Sequence, residues 1–321
     1  MFRTLDFGLA ERQVRSVEGH APVGPPAPGW VRWIDVHEPS PSELALLRER
    51  FSFHPLAIED CTHQDQRPKA QEYDGYLFIV AQSFSCSDAD VARLDLQELH
   101  AFLGKDYVIT VRSRPMTAVE RVRQRLERDP GLLKGGADFI YYLLVDELID
   151  DNFPILDRVS DEIEAIEDQV LARPRRESVE RIFVLRRNLV AMRRVLSPQR
   201  EVISQLGKRG SGHVSDRTVL YLRDVHDQLS RIVESIESHR DLLGNALEVY
   251  LSAIGQRTND IMKALAILSA VFMPLSFVTG FFGQNFDAIP VHSQLAFRVM
   301  LGSLIASPVV LLLWFKGRHW F

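Results

Sequence analysis

Gly283, Gln284 and Asn285 are neighbours with the chemistry to handle a cation that keeps its water. The two amides offer neutral carbonyl oxygens, and the glycine lets the backbone come close. A small divalent ion such as Mg²⁺ dehydrates reluctantly, so a site for it commonly retains several waters. Amide oxygens can hold that water shell where a ring of carboxylates would trap the ion. These residues open a short loop, 283–294, between two apolar runs, "ALAILSAVFMPLSFVTGFF" (264–282) and "LAFRVMLGSLIASPVVLLLWF" (295–315). The first carries no charge and the second only Arg298, near its start. Each meets the ~20 residues needed to cross ~30 Å of hydrocarbon. Lys263 precedes the first run, and Lys316, Arg318 and His319 follow the second. The positive-inside rule then puts both termini in the cytoplasm and the loop outside, with Arg298 snorkelling to the outer headgroups.

A second set of residues lies along the first run. Asn259, Met262, Leu265, Ser269, Met273, Ser276 and Gly280 recur at steps of three or four, so they share one line on a helix. The other faces carry Ile267, Leu268, Val271, Phe272, Leu275, Phe277, Val278 and Phe281, all large and apolar. A polar, small or soft stripe has two readings. Small residues pack membrane helices closely; alternatively, several copies of the stripe would wall a pore with no fixed charge, gated by Met and Leu rings that dewet.

The elements that must position these residues follow from the rest of the chain. It has 321 residues, 46% hydrophobic and 25% charged, with a net charge of −5. That balance lacks the basic excess of a nucleic-acid binder. Charge is concentrated before residue 264. Two cysteines, Cys61 and Cys86, in no CxxC arrangement suit a reducing compartment. The N-terminus shows no apolar run of signal-peptide length. Residues 21–29, "APVGPPAPG", close an expected N-terminal tail and Pro-rich linker over 1–29. Strands are predicted at 30–36, 75–84, 94–104 and 106–112, with helices at 40–51, N-capped by Ser40 or Ser42, and at 116–128. They define a cytoplasmic α/β domain over 30–145.

Residues 146–263 are expected to form a helical hairpin and stalk. Helices fit 138–171 and 177–206, broken near Pro174. The first carries Asp157, Asp161, Glu162, Glu164, Glu167 and Asp168, and the second Arg181, Arg186, Arg187, Arg193, Arg194 and Arg200. Such faces pair with each other in solvent, or the acidic one concentrates cations near a path. "GKRGSGH" (207–213) lacks the strand and Gly-Lys-Ser/Thr of a phosphate loop and reads as a turn. Beyond it Leu222, Val225, Leu229, Ile232, Val233, Ile236, Leu243, Leu247, Tyr250 and Ile254 keep helical spacing. A helix over 216–282 would run ~100 Å and needs partner helices, most simply copies of itself. The fold class is therefore an α+β membrane protein: a cytoplasmic α/β domain, a long helical stalk and a two-helix transmembrane domain over 264–321. No nucleophile–base pair stands out, so an enzyme is not expected. Asp60, Cys61 and His63 in "DCTHQD" suit Zn²⁺ or Co²⁺ chemically, but no second ligand cluster accompanies them. His213, His226 and His239 show no i, i+4 pairing and read as surface or stalk residues.

"RTNDIMKALAILSAVFMPLSFVTGFFGQNF" (257–286), "HPLAIED" (54–60), "QRPKAQEYDGYLFIV" (66–80), "LRRNLVAMRRVLSPQREVI" (185–203) and the basic-aromatic end "KGRHWF" together resemble the CorA-type divalent cation transporters, including the zinc-transporting ZntB branch. The resemblance covers most of the chain beyond about residue 30. It implies a funnel-shaped homopentamer of the inner (plasma) membrane whose stalk helix continues into a pore-lining first span. The stripe from Asn259 to Gly280 falls on that pore wall, and Gly283-Gln284-Asn285 stands where the family has Gly-Met-Asn, with Asp287 a counterpart of the acid that follows. The implied cargo is Mg²⁺, with Co²⁺ or Ni²⁺ also possible; the altered middle residue keeps open a ZntB-like, proton-coupled Zn²⁺ transporter, and a non-conducting metal sensor is a third reading. The family's regulatory Mg²⁺ site between subunits carries over to Asp60 and Asp224, with Glu59 and Asp227 as neighbours.

Overall fold

The computed structural model describes residues 2–10, 13–18, 24–63, 66–86, 91–133, 135–208, 212–284 and 293–318. They fall into two compact units, Met1–Gln169 with Arg175–Leu247, and Val170–Pro174 with Glu248–Phe321.

The first unit is built on seven strands: β1 (Phe2–Gly8), β2 (Gln13–Glu18), β3 (Trp30–His37), β4 (Lys69–Tyr73), β5 (Tyr76–Cys86), β6 (Leu94–Gly104) and β7 (Tyr107–Arg112). Their order is β2-β1-β3-β7-β6-β5-β4. Only β3 and β7 pair in parallel, from Arg32↔Tyr107 to His37↔Arg112. The excursion between them holds α1 (Pro41–Phe51), α2 (Pro55–Asp60) and β4 to β6. Ser40, not Ser42, caps α1: its side chain accepts from the Glu43 amide while the Glu43 carboxylate accepts from the Ser40 amide at 2.8 Å. Leu44, Leu47, Ala57 and Ile58 of these helices bury one sheet face, made of Ile34, Phe78, Phe102 and Ile109. Helices α3 (Thr117–Arg128) and α4 (Ala137–Asp150) pack together, and α4 lies across β3, β5, β6 and β7.

Two expectations change here. The tail and linker expected over 1–29 contain two strands: β1 and β2 pair antiparallel, with β1 on the edge of β3, burying Phe2, Leu5 and Phe7. Arg32 fixes β1 with two bonds to Asp6, at 2.6 and 2.7 Å. The helix expected over 138–171 is two helices, α4 and α5 (Phe153–Ala172). At the break Asn152 donates its side-chain amide back to the carbonyls of Leu148 and Ile149 and accepts from the Phe84 amide at 3.4 Å. A side chain that binds backbone in this way competes with the helix ladder, and Pro154 disfavours helical geometry in the residue before it.

Helix α6 (Arg176–Leu206) turns back along α5, and Arg181 meets Glu162 at 2.6 Å. Helix α7 (Asp216–Phe282) runs for 67 residues. Asp138 of α4 holds its first turn by accepting from the Ser215 amide at 2.9 Å and hydroxyl at 2.6 Å. Leu222, Val225, Leu229, Ile232, Val233, Ile236 and Leu243 are buried along it, whereas Leu247, Tyr250 and Ile254 are half-buried. In the second unit the end of α7 accompanies α8 (Gln294–Gly317). Both helices contain stretches of mean hydropathy 2.0, long enough to cross a bilayer.

Candidate functional site

Within the second unit, α7 has two contrasting faces. Lys263, Ile267, Ala270, Val271, Pro274, Leu275, Val278 and Phe282 are half-buried, and Lys263, Ile267 and Val271 share a groove with Leu312 of α8. Asn259, Met262, Leu265, Ser269, Met273, Ser276 and Gly280 are exposed throughout, Met273 to 73%. At ~100° per residue the two sets centre roughly 150° apart. The stripe thus lies on the side of α7 turned from α8, and it is uncovered among the described residues. At Gly280 a Cβ would meet no atom within 4 Å among the described residues beyond its own stretch of helix. Its smallness serves no contact among the described residues.

Gly283 differs. Its amide donates to the Thr279 carbonyl at 3.0 Å, and a Cβ would press on that same oxygen at 3.0 Å. The Gln284 amide donates to the Phe281 carbonyl at 3.3 Å, and the Gln284 side chain is exposed. Asn285, with Asp287, lies outside the described residues.

The two carboxylates named from the sequence sit in opposite electrostatic settings. Asp60, the last residue of α2, accepts from Lys69 of β4 at 2.7 Å. Asp224 is exposed on α7, in the field of acids on α4. Among these, Asp146 accepts from Tyr142 at 3.3 Å and Gln228 at 3.5 Å. Burial raises the Asp146 pKa to about 6, helped by Asp150 and Asp224 and resisted by its two hydrogen bonds. The sequence reading missed Asp146, and missed Lys69 as the counter-ion of Asp60. Neither is marked by local spacing; each acquires meaning from a residue on another element. No hydrogen bond or ion pair joins Asp60 to Asp224 within the chain, and the described residues contain no cluster of three or more His, Cys, Asp or Glu able to hold a metal.

Cys61 is a core residue. It is 3% exposed, donates to the Ala57 carbonyl at 3.3 Å, and burial pushes its thiol pKa up, so the thiolate that binds metals is suppressed. His63 bends back to the Glu59 carbonyl at 3.0 Å on the surface. His226 lies 3.3 Å from its neighbour Asp227, and His213 lies 3.7 Å from Glu72.

An α/β unit joined by one unbroken helix to two apolar spans, the first with a neutral stripe, defines a membrane protein with a large extramembrane domain. The profile of the CorA-like Mg²⁺ transporter proteins matches residues 29–317. The chain is 34% identical over 295 residues to the cobalt/magnesium transport protein CorA of Thermotoga maritima, covering 91% of this chain and 83% of that protein. Its fold matches the solved CorA magnesium transporter of Methanocaldococcus jannaschii with a TM-score of 0.87 at 19% identity, over 100% of this chain and 99% of that one. The ZntB cytoplasmic domain from Vibrio parahaemolyticus shares fold alone, with a TM-score of 0.66 at 15% identity over 79% of this chain and 99% of that one. This chain belongs to the CorA-like Mg²⁺ transporter family.

Proposed function

We propose that the chain conducts Mg²⁺, with Co²⁺ and Ni²⁺ as further cargo, as a homopentamer in the inner (plasma) membrane with both termini cytoplasmic. The observation that carries this reading is the seven-position stripe of α7, neutral and exposed on the side away from α8. Copies of α7 around an axis bring the stripe inward and leave Leu268, Phe272 and Phe277 for lipid or neighbouring helices. Gly280 then has its reason, since close approach of helices near the mouth requires a residue without a side chain. Met262, Leu265 and Met273 form rings that close by dewetting. Gly283, Gln284 and Asn285 receive the hydrated ion at the outer end. Flux needs no bond chemistry and is driven by the ion gradient and membrane potential.

Control follows from the carboxylates. Among the described residues Asp224 and Asp146 have no counter-ion, which suits a hard divalent ion, while Asp60 is neutralised by Lys69. A cytosolic Mg²⁺ ion held by Asp224 with Asp60 of a neighbouring copy, in competition with Lys69 for that carboxylate, supplies charge that quenches the repulsion among Asp146, Asp150 and Asp224. Its loss restores that repulsion and favours opening.

The test is uptake into proteoliposomes carrying the full chain, read with a Mg²⁺-sensitive dye and then a Zn²⁺-sensitive one. Mg²⁺ entry that Asn285→Ala abolishes, with assembly intact by size-exclusion chromatography, supports the reading. Retained flux in that variant removes the hydrated-ion mouth. Zn²⁺ entry alone, steepened by a proton gradient, replaces Mg²⁺ by the zinc reading motivated by Gln284, and no flux from well-assembled protein leaves a metal sensor.

A further inference from the structure

The turn between α5 and α6 has no part in the ion path. Val170–Pro174 nevertheless belong to the compact unit that holds both spans. The register of α6 against α7 locates the turn along the stalk. Arg193 meets Glu237 at 2.8 Å, and a Cβ on Gly207 would lie 3.9 Å from the Arg223 side chain; both pairs of numbers sum to 430. Carried beyond those two contacts, the same sum would bring Pro174 level with Gln256. The apolar run starts eight residues later at Ala264, about 12 Å further at 1.5 Å per residue. Polar headgroups fill roughly half of that distance, and a long arginine side chain spans the remainder.

The turn has the charge for such a position. Arg173, Arg175 and Arg176 are all exposed, as is Leu171 at 72%. Among the described residues, Arg173 and Arg175 make no ion pair. Arg176 meets Glu180 at 3.4 Å, but both side chains are largely in water, where such a pair contributes little. Glu177 and Glu180 of α6 and Asp168 near the end of α5 are the nearby opposing charges, all of them exposed. Arg175 caps α6 without a side-chain hydrogen bond, so the positive end of a 31-residue helix adds to the arginines.

We infer that this turn docks on the membrane leaflet at which α7 enters, with Arg173, Arg175 and Arg176 binding the phosphates of anionic phospholipid headgroups. The inference rests on the two-span reading and is independent of which ion passes. Arginine suits phosphate by its forked donors, and three basic groups near an anionic surface strengthen contact roughly a hundredfold. The lipid composition of that leaflet thereby biases the α5–α6 hairpin.

The experiment uses the full chain bearing Leu171→Cys and Cys86→Ser, labelled with an environment-sensitive fluorophore; Cys61, buried in the core, does not compete for label. The protein is reconstituted in phosphatidylcholine vesicles with or without phosphatidylglycerol, each doped with a headgroup spin-labelled quencher. The expected result is quenching several times stronger in the anionic vesicles. It falls to the neutral-lipid level in 1 M KCl, where the Debye length is about 3 Å, and in the Arg173→Gln, Arg175→Gln, Arg176→Gln triple variant. The corresponding triple Lys variant keeps the difference, which separates charge from misfolding. Equal quenching in both vesicle types, or quenching untouched by the triple Gln change, overturns the inference. A label shielded from quencher in both vesicles and in detergent also overturns it, and assigns the turn to a second copy of the chain.

Discussion

The α/β unit and the first span handle polar groups in opposite ways. Inside the α/β unit Arg112 is 2% exposed, yet its guanidinium donates to Asp35 at 2.8 Å and to Glu120 at 2.7 Å. Asp35 also accepts from Thr110 at 2.8 Å, and Thr110 accepts from Trp33 at 3.0 Å. Buried charge is tolerated there because one chain supplies every partner. On α7 the relation is inverted: Asn259, Ser269 and Ser276 face outward and Gly280 faces open space. The first region completes its polar contacts within one chain, whereas the second leaves its stripe exposed among the described residues, where the proposed assembly would cover it.

The comparison can be broken at either end. Arg112→Met strands Asp35 in the core and is expected to cost about 3–5 kcal/mol, read by denaturant unfolding of the detergent-solubilised chain. Mg²⁺ uptake per folded protein should stay unchanged; its loss would show that the two regions are not separate in this sense. Gly280→Leu is the converse. Unfolding of the α/β unit should move by less than about 0.5 kcal/mol, while Mg²⁺ uptake falls roughly tenfold or more as the side chain fills the axis.

A pH series sharpens the comparison at the acidic patch. The Asp146 pKa is raised to about 6 in the fold, from 3.8. Its stabilising contribution is therefore full below pH 3.8 and is lost as pH rises through 6. Asp146→Asn should raise stability at pH 7 by about 1 kcal/mol, after allowing for partial solvent screening, and the gain should vanish near pH 4, measured by thermal unfolding without divalent ions. Mg²⁺ at pH 7 should stabilise the unmodified chain more than the variant. The smallest effect belongs to Arg181→Gln. It removes a half-exposed pair with Glu162 and should cost no more than about 0.5 kcal/mol, with uptake unaltered.

The parts legible in the sequence were those whose signal is long or self-contained. Helix α7 and α8 could be read from sustained apolar spacing, and the α1 cap from Ser40 and Glu43 three residues apart. The edge hairpin was obscured because Arg3 and Asp6 interrupt its apolar residues, and their partners Glu120 and Arg32 lie far along the chain. β4 was missed although Asp74 and Gly75 mark a tight turn into β5, with Gly75 at φ 80°. The break at Asn152 is a tertiary effect, set by Phe84 of β5. At the candidate site the spacing of polar and small residues marked the stripe, but its exposure is shared with Leu268, Phe272 and Phe277, so exposure alone does not single it out. The roles of Asp146 and Lys69 were not legible, because a carboxylate's field depends on neighbours that only folding brings near.

Gly283 lets α7 keep its hydrogen-bonding pattern to the edge of the loop without a side chain pressing on Thr279. The helix therefore arrives there carboxyl end first, and that end carries the negative pole of the peptide dipoles, equivalent to about half an electronic charge. Several such poles converging would draw cations through a potential built from backbone alone. No proton equilibrium governs such a field. Ion capture at a mouth of this kind would hold constant through acid conditions near pH 4, where a ring of carboxylates begins to lose its charge.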